Sequence, residues 1–148
     1  MGRSIRSALL AVLTVLLVPL PACGGEPADA AGYTVEAGPA DSMGPWVTTW
    51  LEGREAGEGF QYFVYSDPDS WDIYLWCPGR EAEVHALAPE DIRLEIRDSV
   101  LQVYLPPVQP VETDEIWLIH IAAPLLGPWP TGAALYWEVP CDGSYYEA

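Results

Sequence analysis

The stretch that most constrains the fold is "IRLEIRDSVLQVYL", residues 92–105, in which every second residue is apolar on either side of Asp98-Ser99. A two-residue turn at Asp98-Ser99 would pair Arg97 with Val100. That pairing would place all six apolar side chains of the alternation on one face, as a half-buried antiparallel hairpin requires. The pattern therefore predicts two strands, 92–97 and 100–105, although Asp-Ser is not a preferred hairpin dipeptide.

A helix that begins at Pro89-Glu90-Asp91 is the alternative for the first half of this stretch. Proline and acidic residues are favoured in the first turn of a helix. Ala88, however, is a poor N-cap, and the apolar alternation fits a period of 2 better than 3.6. We therefore favour the strand over the helix.

The same texture of short apolar runs between Pro, Gly and Asp clusters extends over residues 46–148, which are enough for one domain. Strands are predicted at 46–51, 60–66, 71–77, 82–88, 92–97, 100–105, 115–123 and 133–140. We expect an all-β domain: an antiparallel β-sandwich, immunoglobulin-like in general architecture, or a small barrel.

Two cysteines support the sandwich. Cys77 shares a strand face with Trp71, Ile73 and Leu75. In residues 135–141, Cys141 falls on the same face as Leu135, Trp137 and Val139. Two cysteines that face the core from different strands are what an inter-sheet disulfide needs, so we expect one between them. The spacing resembles that of immunoglobulin domains, but no Trp follows Cys77 at the usual short distance. We use the resemblance only for the architecture.

The N-terminus points to export. Arg3 and Arg6 precede an apolar run, residues 8–18, which as a helix would span only roughly 16 Å, about half a bilayer core. This is typical of a secretory signal peptide. The following "LPAC", residues 20–23, resembles the lipobox of bacterial lipoproteins.

In that family the signal peptide, here residues 1–22, is removed and the new N-terminal cysteine, here Cys23, carries diacylglycerol and a further fatty acid such as palmitate. The resemblance implies a protein of the cell envelope, held by lipid on the extracytoplasmic side, at the outer membrane if the cell has one. A soluble secreted protein cut after Ala30 is the alternative, since Ala28-Asp29-Ala30 fits the cleavage rule.

Residues 24–45, "GGEPADAAGYTVEAGPADSMGP", are rich in Gly, Ala and Pro. We expect residues 23–45 to be a lipidated cysteine followed by a flexible tether, which would reach roughly 25 Å on average. The domain, 46–148, would then stand clear of the lipid headgroups.

The formal net charge of −16 excludes two classes of partner. Nucleic-acid binding needs a basic footprint, and electrostatic docking on anionic lipid needs one as well. Only acyl chains would hold this chain to a membrane.

No motif in the sequence indicates catalysis, a cofactor or a metal. Asp67, Asp69 and Asp72 are close together, but the spacing does not fit a calcium loop, and a turn between strands explains them better than a weak cation site. His85 and His120 have no partner at a metal-ligand spacing. We expect a protein that is not an enzyme; a hydrolase with paired carboxylates is the remaining catalytic alternative.

Aromatic residues are the most informative excess, with seven Trp and eight Tyr. Some are predicted to point away from the core and to form a binding face: Tyr74, Trp76, Tyr104, Trp129 and Tyr136. Such a face could anchor a protein partner or stack on sugar rings, and the competing explanation is that loops cover it. The expected function is a non-catalytic protein-binding or assembly module; the alternative is a small-ligand or glycan-binding domain.

Overall fold

The computed structural model describes residues 28–29, 32–54, 59–124, 129–140 and 142–148. In these residues the chain forms nine strands and two α-helices. In chain order they are β1 (Ala28–Asp29), β2 (Thr34–Pro39), α1 (Pro45–Glu52), β3 (Gln61–Asp67), β4 (Ser70–Trp76), α2 (Glu81–Ala86), β5 (Arg93–Arg97), β6 (Val100–Leu105), β7 (Trp117–Ala122), β8 (Gly132–Glu138) and β9 (Tyr145–Glu147). Short 3₁₀ turns lie at Ala40–Ser42 and Pro89–Asp91.

The strands form two open sheets. Sheet A has the order β1-β5-β6-β8-β9, and sheet B has the order β2-β7-β4-β3. Neither sheet closes on itself within the described ranges, so the small-barrel alternative is wrong. The mostly β fold is confirmed.

The expectation of purely antiparallel pairing is wrong at one place, because β6 and β8 run parallel. Parallel neighbours need a long crossover. Here the chain leaves sheet A after β6, forms β7 in sheet B and returns to sheet A as β8. The crossover brings two strands side by side that the sequence separates by 26 residues, 106–131.

A shared core joins the two sheets. The apolar faces of β4 and β7 from sheet B pack against those of β6 and β8 from sheet A. The side chains with no exposed surface include Ile73, Leu101, Val103, Leu105, Ile119, Ile121 and Leu135. The faces predicted for β4, β6 and β8 from period-2 alternation are confirmed by this packing.

The hairpin β5–β6 is confirmed with the predicted register, since Arg97 pairs with Val100 across Asp98-Ser99. Both turn residues have positive φ, 53° for Asp98 and 66° for Ser99. This is the type I′ geometry that matches the twist of the flanking strands. The helix alternative is wrong, although Pro89–Asp91 does form one 3₁₀ turn.

Two predicted strands are helices. Residues 46–51 belong to α1, in which Trp46, Val47, Trp50 and Leu51 follow the i, i+4 spacing of one helix face. Pro45 stands in the first turn, a position that suits its fixed φ. The β-branched and aromatic residues of this segment suggested a strand, but they pack as a helix on sheet B.

The second wrong strand, 82–88, lies mostly in α2. Glu81 and Glu83 occupy its first turn, where acidic side chains are favoured by the helix dipole. Val84 is the buried residue of this helix, and one buried residue is too few to give the sequence a visible helical period.

The expected tether also differs from the structure, because it contains both β1, which pairs with β5, and β2. Thr34–Pro39 form β2, which pairs with β7 over six residues. Small residues and Gly made this segment look unstructured, yet an edge strand next to β7 needs few large side chains. None of the described helices is long and apolar enough to cross a membrane.

Candidate functional site

The structure divides the predicted aromatic face between the two sheets. Tyr74 and Trp76 lie on the outer face of sheet B, where they are only 4% and 5% exposed. The prediction that they form an open binding face is therefore wrong. The reason is α1, which packs over them with Val47 and Leu51.

Aromatic contacts seal this cover. Trp46 meets the Tyr74 ring edge-on with centroids 4.8 Å apart, and Trp50 meets Trp76 edge-on at 6.5 Å. The indole Nε1 of Trp76 donates to Glu81 Oε1 at 3.2 Å. Burial, with smaller contributions from Asp72 and Glu36, raises the pKa of Tyr74 to about 12. This part of the molecule is a second, helix-covered core.

Trp129 is also partly withdrawn from solvent. Its Nε1 donates to the carbonyl oxygen of Pro124 at 3.0 Å, and the ring packs against the shared core. A tryptophan held in this way stabilises its loop, so the structure supports the covering explanation at this position.

Tyr104 and Tyr136 do come together, on the outer face of sheet A. The parallel register of β6 and β8 sets them side by side, and the antiparallel register of β5 and β6 places Arg93 on the other side of Tyr104. The two tyrosine rings stack with centroids 5.2 Å apart and an angle of 17° between them. The Arg93 Cζ lies 4.2 Å from the Tyr104 centroid.

A third tyrosine completes the group. Tyr145 of β9 approaches Tyr104 edge-on at 5.0 Å, and its centroid lies 5.9 Å from Arg93 Cζ. We call Arg93, Tyr104, Tyr136 and Tyr145 the tyrosine–arginine cluster. Tyr145 is 39% exposed, and Tyr104 and Tyr136 are half-buried.

Charge and burial tune the cluster. Hydrogen bonding to Tyr145 is the main reason that the pKa of Arg93 is raised, and Glu95, which contacts Arg93, adds to it. Burial and then Glu95 raise the pKa of the Tyr104 phenol. At neutral pH the cluster therefore presents the neutral Tyr104 phenol beside a fixed positive charge.

Sequence reasoning missed two members of the cluster. The predicted hairpin register already places Arg93 opposite Tyr104, so Arg93 could have been identified as a member of the cluster from the sequence. Tyr145 was not predicted because β9 is a three-residue strand at the C-terminal end of the chain. Its one signal is its place in the aromatic pair of "SYYEA", residues 144–148.

His120 lies at the centre of a polar group on the outer face of sheet B. Its Nδ1 is 2.7 Å from Glu36 Oε1 and its Nε2 is 2.8 Å from Asp72 Oδ1. The imidazole also stacks on Tyr74 at 4.4 Å. His120 is therefore a hydrogen-bonded residue of the sheet, and its contacts link β2, β7 and β4.

The acidic turn between β3 and β4 is likewise confirmed. Asp67 pairs with Ser70 across Pro68-Asp69, and Asp67 Oδ1 accepts a hydrogen bond from the Asp69 amide at 2.8 Å. That bond is the main reason that the pKa of Asp67 is lowered. Asp72 is engaged with His120 instead of with this turn.

An acidic pocket of about 410 Å³ lies between α1, the Ala40–Ser42 turn and residues 114–116. Leu51 and Ile116 contribute apolar surface to its lining, as do Pro39 and Ala40. Its carboxylates are Asp41, Glu52, Asp114 and Glu115. In the described part of the chain, no three His, Cys, Asp or Glu side chains converge as metal ligands.

The structure describes one of the three cysteines for which a role was predicted. Cys77 follows β4 with a buried side chain, and burial raises the pKa of its thiol to about 12. Cys141 and Cys23 lie outside the described residues. The disulfide and the lipid attachment therefore stay predictions.

Comparison with known proteins adds no further assignment. No protein-family model, no curated protein and no solved structure matches this chain.

Proposed function

We propose that this protein is a non-catalytic binding or assembly module of the bacterial cell envelope, and that it docks a protein partner through the tyrosine–arginine cluster. The observation that carries the proposal is the in-register stack of Arg93, Tyr104 and Tyr136 on the outer face of sheet A. Tyr145 lies against this stack.

The composition of the cluster supports a protein partner. Tyrosine and arginine are enriched where binding energy is concentrated at protein interfaces. Their mutual contacts restrict the side chains before binding, so less conformational entropy is lost when a partner docks. The phenol hydroxyls and the guanidinium suit a partner surface that carries carboxylates and carbonyl oxygens.

The ring arrangement favours a protein over a glycan. A sugar would stack on an open aromatic face, but Tyr104 has Arg93 over one face and Tyr136 against the other. Tyr145 meets the same ring at 71°. The cluster thus presents ring edges and hydroxyls, which suit hydrogen bonding and edge packing.

Attachment to the envelope is the second part of the proposal, and it rests on the lipobox-like "LPAC" of residues 20–23. Lipid on Cys23 would hold the domain on the extracytoplasmic side of a membrane. Two or more acyl chains are sufficient for stable anchoring.

The proposal also includes a sandwich architecture and a disulfide. The shared core between sheets A and B supports a β-sandwich of general immunoglobulin-like architecture. We further propose a Cys77–Cys141 disulfide, which an oxidising envelope would permit. The intact mass of the unreduced protein from native membranes measures both modifications: acyl groups on residues 23–148, and the loss of two hydrogens.

Site-specific photo-crosslinking in intact cells tests the partner. A photoreactive phenylalanine analogue at Tyr145 is expected to give one adduct of defined mass, and the same analogue at the exposed Val111, which lies outside both the cluster and the edge strands, is the matched control. Arg93→Glu should abolish the adduct at position 145 without unfolding the domain. Equal adducts at both positions, or an adduct that survives Arg93→Glu, would contradict the proposal.

A glycan titration separates the alternative. Cell-wall saccharides added to the purified protein should leave its tyrosine and tryptophan fluorescence unchanged. A saturable change that Tyr104→Ala removes would favour the glycan-binding function instead.

A further inference from the structure

The four edges of the two sheets are protected very unequally. In sheet A the edge strands are β1, with two residues, and β9, with three. In sheet B the edge strand β2 ends at Pro39 and lies against α2 and the Pro89–Asp91 turn. Shortness, proline and a covering element are the devices by which proteins keep sheet edges from pairing with other chains.

Within the residues that the structure describes, the remaining edge, β3, has none of these devices. It has seven residues, "QYFVYSD", with no proline and no lysine, and Asp67 at its end is the one charged side chain. Tyr62 and Tyr65 are 40% and 43% exposed. In the described part of the chain, β4 is the strand that hydrogen-bonds to it.

The backbone alternation shows which groups point out of this edge. The Ala123 amide donates to the Trp71 carbonyl at 2.9 Å, so Trp71 directs its backbone toward β7. Asp72, Tyr74 and Trp76 must then direct theirs toward β3, because neighbouring residues of a strand alternate.

Their partners across the ladder are Tyr65, Phe63 and Gln61. It follows that Tyr62, Val64 and Ser66 direct their N–H and C=O groups away from β4, toward the open edge. These three residues are centred on Val64. An antiparallel copy of the same strand would therefore pair Val64 with Val64 and Tyr62 with Ser66, with all outward groups hydrogen-bonded.

We propose that β3 is a self-association edge, at which a second copy of this chain adds to sheet B through a two-fold axis at Val64. The arrangement is isologous, so the same patch serves both copies. It also closes, because an isologous interface uses the β3 edge of both copies and leaves no β3 edge free for a third. The product is one continuous sheet across two molecules instead of a fibre.

Charge sets the conditions for this association. Each chain has a net charge of −16, which opposes dimer formation at low ionic strength. The edge itself carries one charge per copy, Asp67, so the repulsion comes from the rest of the molecule and is screened by salt. Association should therefore strengthen as salt is added.

Hydrogen exchange of the purified wild-type chain tests the register residue by residue. The amides of Tyr62, Val64 and Ser66 are expected to gain at least about tenfold protection between about 10 μM and about 1 mM protein, while the β4-bonded amides of Phe63 and Tyr65 do not change. Sedimentation should show a monomer–dimer equilibrium that moves toward dimer with added salt. Unchanged exchange at all three outward amides, or a monomer at every concentration and salt, would overturn the proposal.

A matched pair of variants tests the edge directly. Ser66→Pro removes one outward N–H and should weaken dimerisation by about tenfold or more, whereas Ser66→Ala keeps that N–H and should dimerise as the wild type does. Dimerisation of Ser66→Pro at wild-type strength would contradict the proposed edge. If Ser66→Pro does not fold, the exchange measurement on the wild-type chain decides the matter alone.

Discussion

The outer faces of the two sheets carry similar aromatic residues, but these residues differ in how far they are buried. On sheet B, Tyr74 and Trp76 lie beneath α1 and are almost fully buried. On sheet A, Tyr104 and Tyr136 stack on each other beside Arg93 and stay half-exposed. In the described part of the chain, α1 packs on strands of sheet B and α2 lies along β7 and β2 of the same sheet. The comparison shows that the position of the helices, and not the residue type, decides which aromatic face is available for binding.

The largest difference between the two faces is expected when one aromatic side chain is removed from each. Trp76→Ala should destabilise the fold by about 3–5 kcal/mol, because a buried tryptophan leaves a cavity under α1. Tyr136→Ala, on the half-exposed face, should cost less than about 2 kcal/mol. Chemical denaturation of both variants measures the difference; equal losses would mean that both faces are core.

A smaller effect is expected where α1 begins. Gly44 has φ 113°, and a Cβ at this position would lie 2.8 Å from the Trp46 indole nitrogen. Gly44→Ala should therefore cost about 1–3 kcal/mol and loosen the cover over Tyr74. Gly53→Ala is the control, since the nearest atom there is 3.8 Å away and φ is −88°. A Gly44→Ala protein as stable as Gly53→Ala would refute this reading of the helix start.

On the side of sheet A, the turn that positions the cluster can be improved. Asp98 and Ser99 both adopt positive φ, which L-residues with a Cβ adopt at a cost. Ser99→Gly should raise the free energy of unfolding by about 1 kcal/mol. Thermal unfolding is the measurement, and Ser144→Gly, at a residue without positive φ, should give no stabilisation.

The cluster itself should contribute little to stability. A double-mutant cycle of Arg93→Ala and Tyr104→Ala is expected to give a coupling of about 0.5–1 kcal/mol. The same cycle with Tyr104→Phe should give little coupling, because Phe keeps the ring that faces the guanidinium. Arg97→Ala combined with Tyr104→Ala is the control pair. A coupling above about 2 kcal/mol would make the cluster a structural element first.

The stability of the protein at alkaline pH tests the burial of Tyr74 on sheet B. Burial raises the pKa of Tyr74 from 10.0 to about 12, so the folded state favours the neutral phenol. This contribution to stability is fully present below pH 10 and is lost as the pH rises from 10 to about 12. Tyr74→Phe should therefore make the free energy of unfolding fall less steeply with pH over that interval, as measured by denaturation followed by circular dichroism. An unchanged slope would show that Tyr74 is not the buried phenol.

Local sequence patterns were enough to predict much of the strand structure. The register of β5–β6 followed from alternation around Asp98-Ser99, and the core-facing positions of β4 and β8 followed in the same way. Residues 46–51 and 82–88 were misassigned because aromatic and β-branched side chains suit strands, while Trp46 and Trp50 meet sheet B only when wound as a helix. β2 was missed because its stability comes from pairing with β7, about 80 residues away in the chain.

The candidate site was predictable in part. Arg93 and Tyr104 meet through a local hairpin, which the alternation specifies. Tyr136 joins them only because β8 returns parallel to β6, and Tyr145 only because β9 adds to that edge. The burial of Tyr74 and Trp76 was beyond local reasoning as well, since the residues that cover them belong to a separate helix.

Period-2 alternation in the sequence is therefore enough to assign each side chain to one face of its strand, because alternation is a property of the local backbone. Which of the two outer faces is covered depends instead on the tertiary fold. Coverage depends on where distant segments pack, and neither the docking of α1 on sheet B nor the parallel return of β8 beside β6 leaves a periodic signal in the residues it buries or exposes.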